Sequence, residues 1–271
     1  MLTLSWVPIA YRKSSFVPKS LLLVTLSAAT VLGAFGQEKP REVHVAAASD
    51  LQPVMPVLAE AYEHATGIKI ISSFGSSGTL TTQIIAGEPV DIFLGADFTF
   101  PEKLVAANLA DTKSPIAYAK GTLVLWARKD SPLQPLHLEA LSSPKLQTVA
   151  IANDLHAPYG RAAVSALKYM KLYAKLKPKL VVAENIAQAA QFVESGNAEV
   201  GLISLTAAKS AHLQELGTYV LLPTVSYPKI MQYGVILQAS PVRSDAHAFM
   251  DWLTSPQIQE NLRKLGLEPV N

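Results

Sequence analysis

The 271-residue chain contains no cysteine, which excludes disulfides, thiolate metal sites, cysteine nucleophiles and a lipid-modified mature N-terminus. Charge is scarce: 16% of residues are Asp, Glu, Lys or Arg, against 49% hydrophobic. That balance excludes an intrinsically disordered chain. With 14 glycines and 18 prolines, the sequence is no collagenous or low-complexity polymer either. Acidic residues are missing altogether from positions 1–36, which carry Arg12, Lys13 and Lys19. Beyond position 36 no run of 18 apolar residues occurs, so a soluble mature chain is expected.

What stands at the N-terminus is a pattern of export. A basic flank precedes an apolar run at 21–32, and Ala34 and Gly36 hold the −3 and −1 positions before polar Gln37-Glu38-Lys39-Pro40. These features predict a secretory signal peptide over 1–36, cleaved after Gly36. A membrane anchor is the alternative, but the run falls short of the roughly 20 residues needed to span a bilayer. The formal charge of +2 belongs to this leader. Without its three cations, of the 23 Lys and Arg against 21 Asp and Glu, the mature chain has one net negative charge. Nucleic-acid binding then loses its electrostatic motive. An exported, cysteine-free, unanchored protein fits the periplasm.

Short β-rich runs alternate with helical patterns through the rest. Strands are expected at 43–48, 68–74, 91–96, 123–128, 148–153, 180–183, 199–205, 219–222 and 233–238. Leu51, Val54, Met55, Leu58, Tyr62 and Ala65 form one helical face ending at Gly67. Leu80, Ile84 and Ile85 mark a second helix, Ala163, Leu167 and Met170 a third, and Ile186, Ala190 and Val193 a fourth. Ser255-Pro256 opens a last one. The alternation predicts parallel βαβ units and an α/β architecture. Two blocks emerge, about 38–121 and 122–230, with 231–271 too small to stand alone. If that tail returns to the first block, the lobes are 37–121 plus 231–271, and 122–230, joined by two crossovers. The loop 129–135, with Pro132 and Pro135, is expected near the hinge.

Catalytic templates mostly fail. Gly75-Ser76-Ser77-Gly78 is one residue short of a nucleophile elbow, which keeps a secreted serine hydrolase only as a remote alternative. Phosphate-loop and dinucleotide glycine motifs are absent. The six histidines show no metal-binding spacing, and no pair of carboxylates stands out. His156 reads best as a solvated loop residue.

Four strand-to-helix junctions carry a different signal. They are Ala46-Ala47-Ala48-Ser49-Asp50, Ser72–Thr79 with its paired serines, 153–160 with His156-Ala157-Pro158-Tyr159-Gly160, and Glu184-Asn185-Ile186. In parallel α/β sheets ligands bind outside the carboxyl ends of strands, where such junctions gather. Helix N-termini offer unpaired N–H donors and partial positive charge, so several together would hold an anion without lysine or arginine. Taken singly, Ser49, Ser77 and Asn185 read as ordinary N-caps. Asp50 reads as an exposed carboxylate at a helix start.

Together these stretches resemble the periplasmic molybdate-binding proteins of ABC importers. Asp91-Ile92-Phe93-Leu94-Gly95-Ala96-Asp97, Phe192-Val193-Glu194-Ser195-Gly196 and the Ser255-Pro256 helix add to the likeness, which covers essentially all of the mature chain. The resemblance implies a two-lobed type II periplasmic binding-protein fold, each lobe a mostly parallel sheet flanked by helices. It implies capture of molybdate or tungstate, with no cofactor and no enzymatic activity. The partners implied are a membrane permease and its ATPase, with the receptor itself a monomer. Carried over, Ser49 and Ser77 donate to the ligand, Ile186 gives a backbone N–H, and Tyr159 gives a backbone or hydroxyl donor. Some members place a ligand tyrosine after the Gly201-Leu202-Ile203 strand, where this chain has Ser204, and the Tyr159 hydroxyl is expected to stand in for it. Sulfate, phosphate or an organic anion on the same fold is the alternative; iron is disfavoured for want of a tyrosine pair and carboxylate cluster.

Overall fold

The first strand shows how the sequence builds the molecule. In β1 (Glu42–Ala48), Val43, Val45 and Ala47 face one hydrophobic layer and Ala46 the other, the period-two alternation of a strand covered on both sides. The computed structural model describes residues 41–270; the expected signal peptide lies outside them. Among the described residues, no helix is long and apolar enough to cross a membrane.

From β1 the chain makes a single 3-10 turn at Ser49–Leu51 and enters α1 (Met55–Thr66). Gly67 ends α1 in the left-handed region at φ 72°, which a residue without Cβ adopts freely. Then follow β2 (Lys69–Gly75), α2 (Ser77–Ile85), β3 (Ile92–Gly95), α3 (Thr99–Ala106) and β4 (Ile116–Gly121). The chain crosses over at Thr122 into β5 (Leu123–Arg128). A second βα series comes next: β6 (Val149–Ala152), α4 (Pro158–Tyr169), α5 (Tyr173–Leu176), β7 (Leu180–Ala183), α6 (Ile186–Glu194) and β8 (Val200–Ser204). Short helices α7 (Leu205–Ala208) and α8 (Ala211–Leu216) lead to β9 (Gly217–Leu221). The chain then returns through β10 (Ile230–Ile236) to α9 (Arg243–Thr254) and α10 (Pro256–Lys264).

Two five-stranded sheets result, ordered β2-β1-β3-β10-β4 and β7-β6-β8-β5-β9. The expected parallel units form one half of each: β2, β1 and β3 in the first, and β7, β6 and β8 in the second. The other half is antiparallel, because β10 and β5 each enter their sheet from the crossover side. Each sheet with its helices makes a lobe. In the first lobe, α1, α9 and α10 cover one face around Leu58, Phe249 and Leu262, and α2 and α3 cover the other around Leu80 and Leu104. The second lobe packs around Trp126, which is fully buried.

Three local expectations change. The strand expected at 233–238 begins at Ile230, and β4 lies in a segment read as neither strand nor helix. The loop 129–135 does not sit by the hinge. It follows the far end of β5, and six residues of strand carry the chain about 20 Å from the crossover.

Candidate functional site

Register brings the four junctions together. Ala48 lies opposite Gly75 at the carboxyl ends of β1 and β2, so the turns that follow emerge side by side. Ala152 pairs with Ala183 at the ends of β6 and β7, which does the same in the second lobe. The lobes meet along these ends around a cleft lined by Ser49, Asp50, Ser76, Ser77, Tyr159 and Ile186, with Ala48, Gly75, Ala96, Ala157 and Pro158 between them. Its free volume is about 10 Å³, room for roughly one water molecule and far below the roughly 300–1,000 Å³ of sites for drug-sized ligands. A compact ion fits its scale better than a sugar or peptide.

All four residues singled out from the sequence, Ser49, Ser77, Tyr159 and Ile186, therefore line one cavity. Their local chemistry supplies donors. Ser76 is the N-cap of α2: its oxygen accepts the Thr79 N–H at 3.1 Å and its hydroxyl donates to Thr79 Oγ1 at 2.7 Å. Ser77 is thereby relieved of capping. Its oxygen accepts the Ala96 N–H at 3.0 Å, leaving the hydroxyl proton to donate. Ser49 is the first residue of the 3-10 turn, whose N-cap is Ala48, so the capping position falls to Ala48 and not to the Ser49 hydroxyl. Asn185 caps α6 through the Gln188 N–H at 3.0 Å, and Ile186 is the first helical residue behind it. In α4, Pro158 stands at the first position and has no N–H, so the first N–H that helix offers is that of Tyr159.

The Tyr159 hydroxyl has a partner within the protein. It donates to Asp50 Oδ2 at 3.1 Å across the lobes. Burial first, and then the nearby Asp50, raise its pKa well above the ordinary tyrosine value, so it remains protonated. It reaches Asp50 past Gly121, where a Cβ would overlap the Tyr159 hydroxyl.

Asp50 is not the exposed helix-start carboxylate that its sequence position implied. It is 1% exposed, because the turn it occupies is roofed by the opposite lobe: Thr206 donates to the Asp50 carbonyl at 2.6 Å. Burial pushes its carboxyl from 3.8 up to about 7, against the opposing hydrogen bonds from Gln232 and Tyr159. Gln232 was not singled out from the sequence. It is a fully buried amide in the apolar strand β10, at an irregularity between Gln232 and Tyr233 that shifts the register with β4. Such bulges re-aim side chains, and this one presents the Gln232 amide to Asp50 Oδ2. A lone glutamine amid Ile, Met and Val was the only available signal.

Ser204 lies outside the cavity wall. It is buried and caps α7, accepting the Ala207 N–H at 3.3 Å. Neither Ser76 nor Ser77 is hydrogen-bonded to a histidine among the described residues; the His156 carbonyl instead accepts the Gly78 N–H at 2.9 Å. Among the described residues, no cluster of three or more His, Asp and Glu side chains is placed to hold a metal ion. The wall thus has hydroxyl and N–H donors, one buried acid, and no Lys, Arg or His.

Residues 43–268 match the family described as bacterial extracellular solute-binding proteins. The chain belongs to that family. As an extracellular solute binder it works outside the cytoplasm, in transport. Its relatives include the molybdate-binding protein ModA of Azotobacter vinelandii, 37% identical over 225 residues, covering 83% of this chain and 89% of the relative. ModA of Rhodobacter capsulatus is 32% identical over 249 residues, covering 92% and 97%. Among solved structures, the periplasmic molybdate-binding protein of A. vinelandii superposes with a TM-score of 0.79 at 30% identity, over 84% of this chain and all of that one. The two-lobed type II periplasmic binding-protein fold is therefore shared along the full length of that relative.

Proposed function

We propose that this protein captures molybdate, and tungstate with it, in the periplasm and delivers it to the permease and ATPase of an ABC importer. The observation that carries the reading is the small cleft where four strand ends and their following helices converge with hydroxyl and N–H donors and no cation. Neutral donors hold a dianion through hydrogen bonds and helix-end partial charges, with no desolvated lysine to compensate. Relatives named for molybdate, at up to 37% identity, select that anion among tetrahedral ones. Ser49 and Ser77 would donate hydroxyls, and Tyr159 and Ile186 backbone N–H groups. The receptor acts as a monomer after loss of its leader. It binds rather than transforms its ligand.

A thermal-shift panel tests this. A ligand that binds only the folded form stabilises it by mass action, about 2.7 kcal/mol at a hundred times its Kd. Molybdate and tungstate are expected to raise the melting temperature at micromolar concentration, with sulfate and phosphate far weaker. A dominant response to sulfate would reassign the anion, and no response to any of the four would remove the oxyanion reading.

A further inference from the structure

Asp50 is the one residue of the cleft wall that opposes an anion. Its placement is specific: Oδ2 takes the Tyr159 hydroxyl at 3.1 Å and the Gln232 amide, while Oδ1 is buried and has no partner. An ionised carboxylate buried this deeply needs donors on both oxygens or a paired cation. It has neither. The groups acting on it are uncharged: Tyr159 from α4, Gln232 from β10 and its own backbone N–H, with Thr206 from α7 on its carbonyl. The Tyr118 hydroxyl, which feels Asp50 from β4, donates to the Gly95 carbonyl at 3.2 Å. Tyr227, which is felt by Tyr159, accepts the Leu123 N–H at 3.2 Å. From α6, the cleft wall receives Ile186, which has no charge.

A doubly charged oxyanion in the cleft would face this carboxylate across a water-poor space with nothing to screen it. We infer that Asp50 carries a proton whenever the cleft holds a dianion, so that capture of the anion takes up one proton from solvent. The protonated carboxyl turns the one opposing group into a further donor, and the wall then consists of donors throughout. The high pKa of the empty site, about 7, shows that burial has brought the carboxyl most of the way, and a neighbouring dianion moves it further in the same direction. In balance, dianion, ionised Asp50 and one proton combine into a complex whose protein side is neutral at this residue.

The inference rests on the proposed oxyanion reading, and the test separates the two. Titration calorimetry with sodium molybdate at about pH 8.5, in two buffers of different ionisation enthalpy, counts protons taken up per anion bound; molybdate is itself fully deprotonated there. The wild-type protein is expected to take up close to one proton and Asp50→Asn close to none. Between about pH 7.5 and about pH 9 the wild-type Kd should rise by up to ten-fold per pH unit, and that of Asp50→Asn should stay flat. Wild-type binding with no proton uptake and a flat profile overturns the inference and leaves the oxyanion reading standing. Failure of the wild type to bind molybdate, tungstate, sulfate or phosphate overturns both. Should Asp50→Asn not fold, the wild-type proton count decides alone.

Discussion

At the scale of single residues, the site depends on a division of labour between neighbours. Ser76 caps α2, and Ser77, one residue on, is held by the Ala96 N–H with its proton free. Ser77→Ala is therefore expected to weaken molybdate binding by about 1–3 kcal/mol, the worth of a hydrogen bond to a charged group, in calorimetry. Ser76→Ala should instead cost about 1 kcal/mol of folding stability, the worth of a helix cap. Unchanged affinity in Ser77→Ala would take that serine out of the site. Asp50 makes a separate prediction for the empty protein. Its folded carboxyl holds a proton up to about pH 7, whereas an unfolded one releases it near 3.8. Over that interval the folded state binds more protons, so the contribution is present below 3.8 and lost as pH rises through about 7. Ligand-free wild type should thus lose melting temperature relative to Asp50→Asn as pH goes from about 4 to about 8. Parallel melting curves for the two would show that ionised Asp50 is tolerated. The serines and Ile186 were legible because strand-to-helix junctions are local chemistry. The burial of Asp50 was not, since its partners Tyr159 and Gln232 lie 109 and 182 residues away.

At the scale of elements, helix ends must be seated against strand ends with little room. Gly160, in the first turn of α4, shows the constraint: a Cβ there would stand 2.7 Å from the Asn153 carbonyl oxygen at the end of β6. That oxygen belongs to the backbone and yields only if the helix lifts. Gly160→Ala should destabilise the protein by about 1–3 kcal/mol in chemical denaturation, the usual cost of overpacking. It should also weaken anion binding, since Tyr159 rides on the same turn. Wild-type stability in this variant would mean that α4 has slack. Alternation of strand and helix patterns made the βα units readable, because amphipathic periodicity records which faces are covered. The sequence was silent on β4 as a strand, whose run Ile116–Gly121 has no clean alternation and is specified by pairing with β10.

At the scale of the whole molecule, the lobes are joined by contacts at the cleft mouth as well as by the crossovers. Arg161 of α4 pairs with Asp97 beyond β3, and its guanidinium lies 5.3 Å from the centre of the Phe100 ring. Gly78 lets the backbones touch there, donating to His156 at 2.9 Å. These groups lie outside the cleft wall, so their effect is on closure and not on anion contacts. Arg161→Ala is expected to speed release of bound molybdate by up to on the order of ten-fold, the worth of a half-exposed ion pair with a cation–π contact. Stopped-flow displacement would measure it. An unchanged release rate would show that closure is held by the ligand and the crossovers alone.

Local order in the chain determined the α/β units, their caps and the donor chemistry at four junctions, because propensity, capping and periodicity act over a few residues. Only the tertiary structure decided the rest. It turned half of each sheet antiparallel and set Gln232 of β10 against Asp50. It also buried Asp50 beneath the opposite lobe. Those outcomes depend on which distant segments meet, and that is set by packing two lobes together rather than by any stretch of sequence read alone.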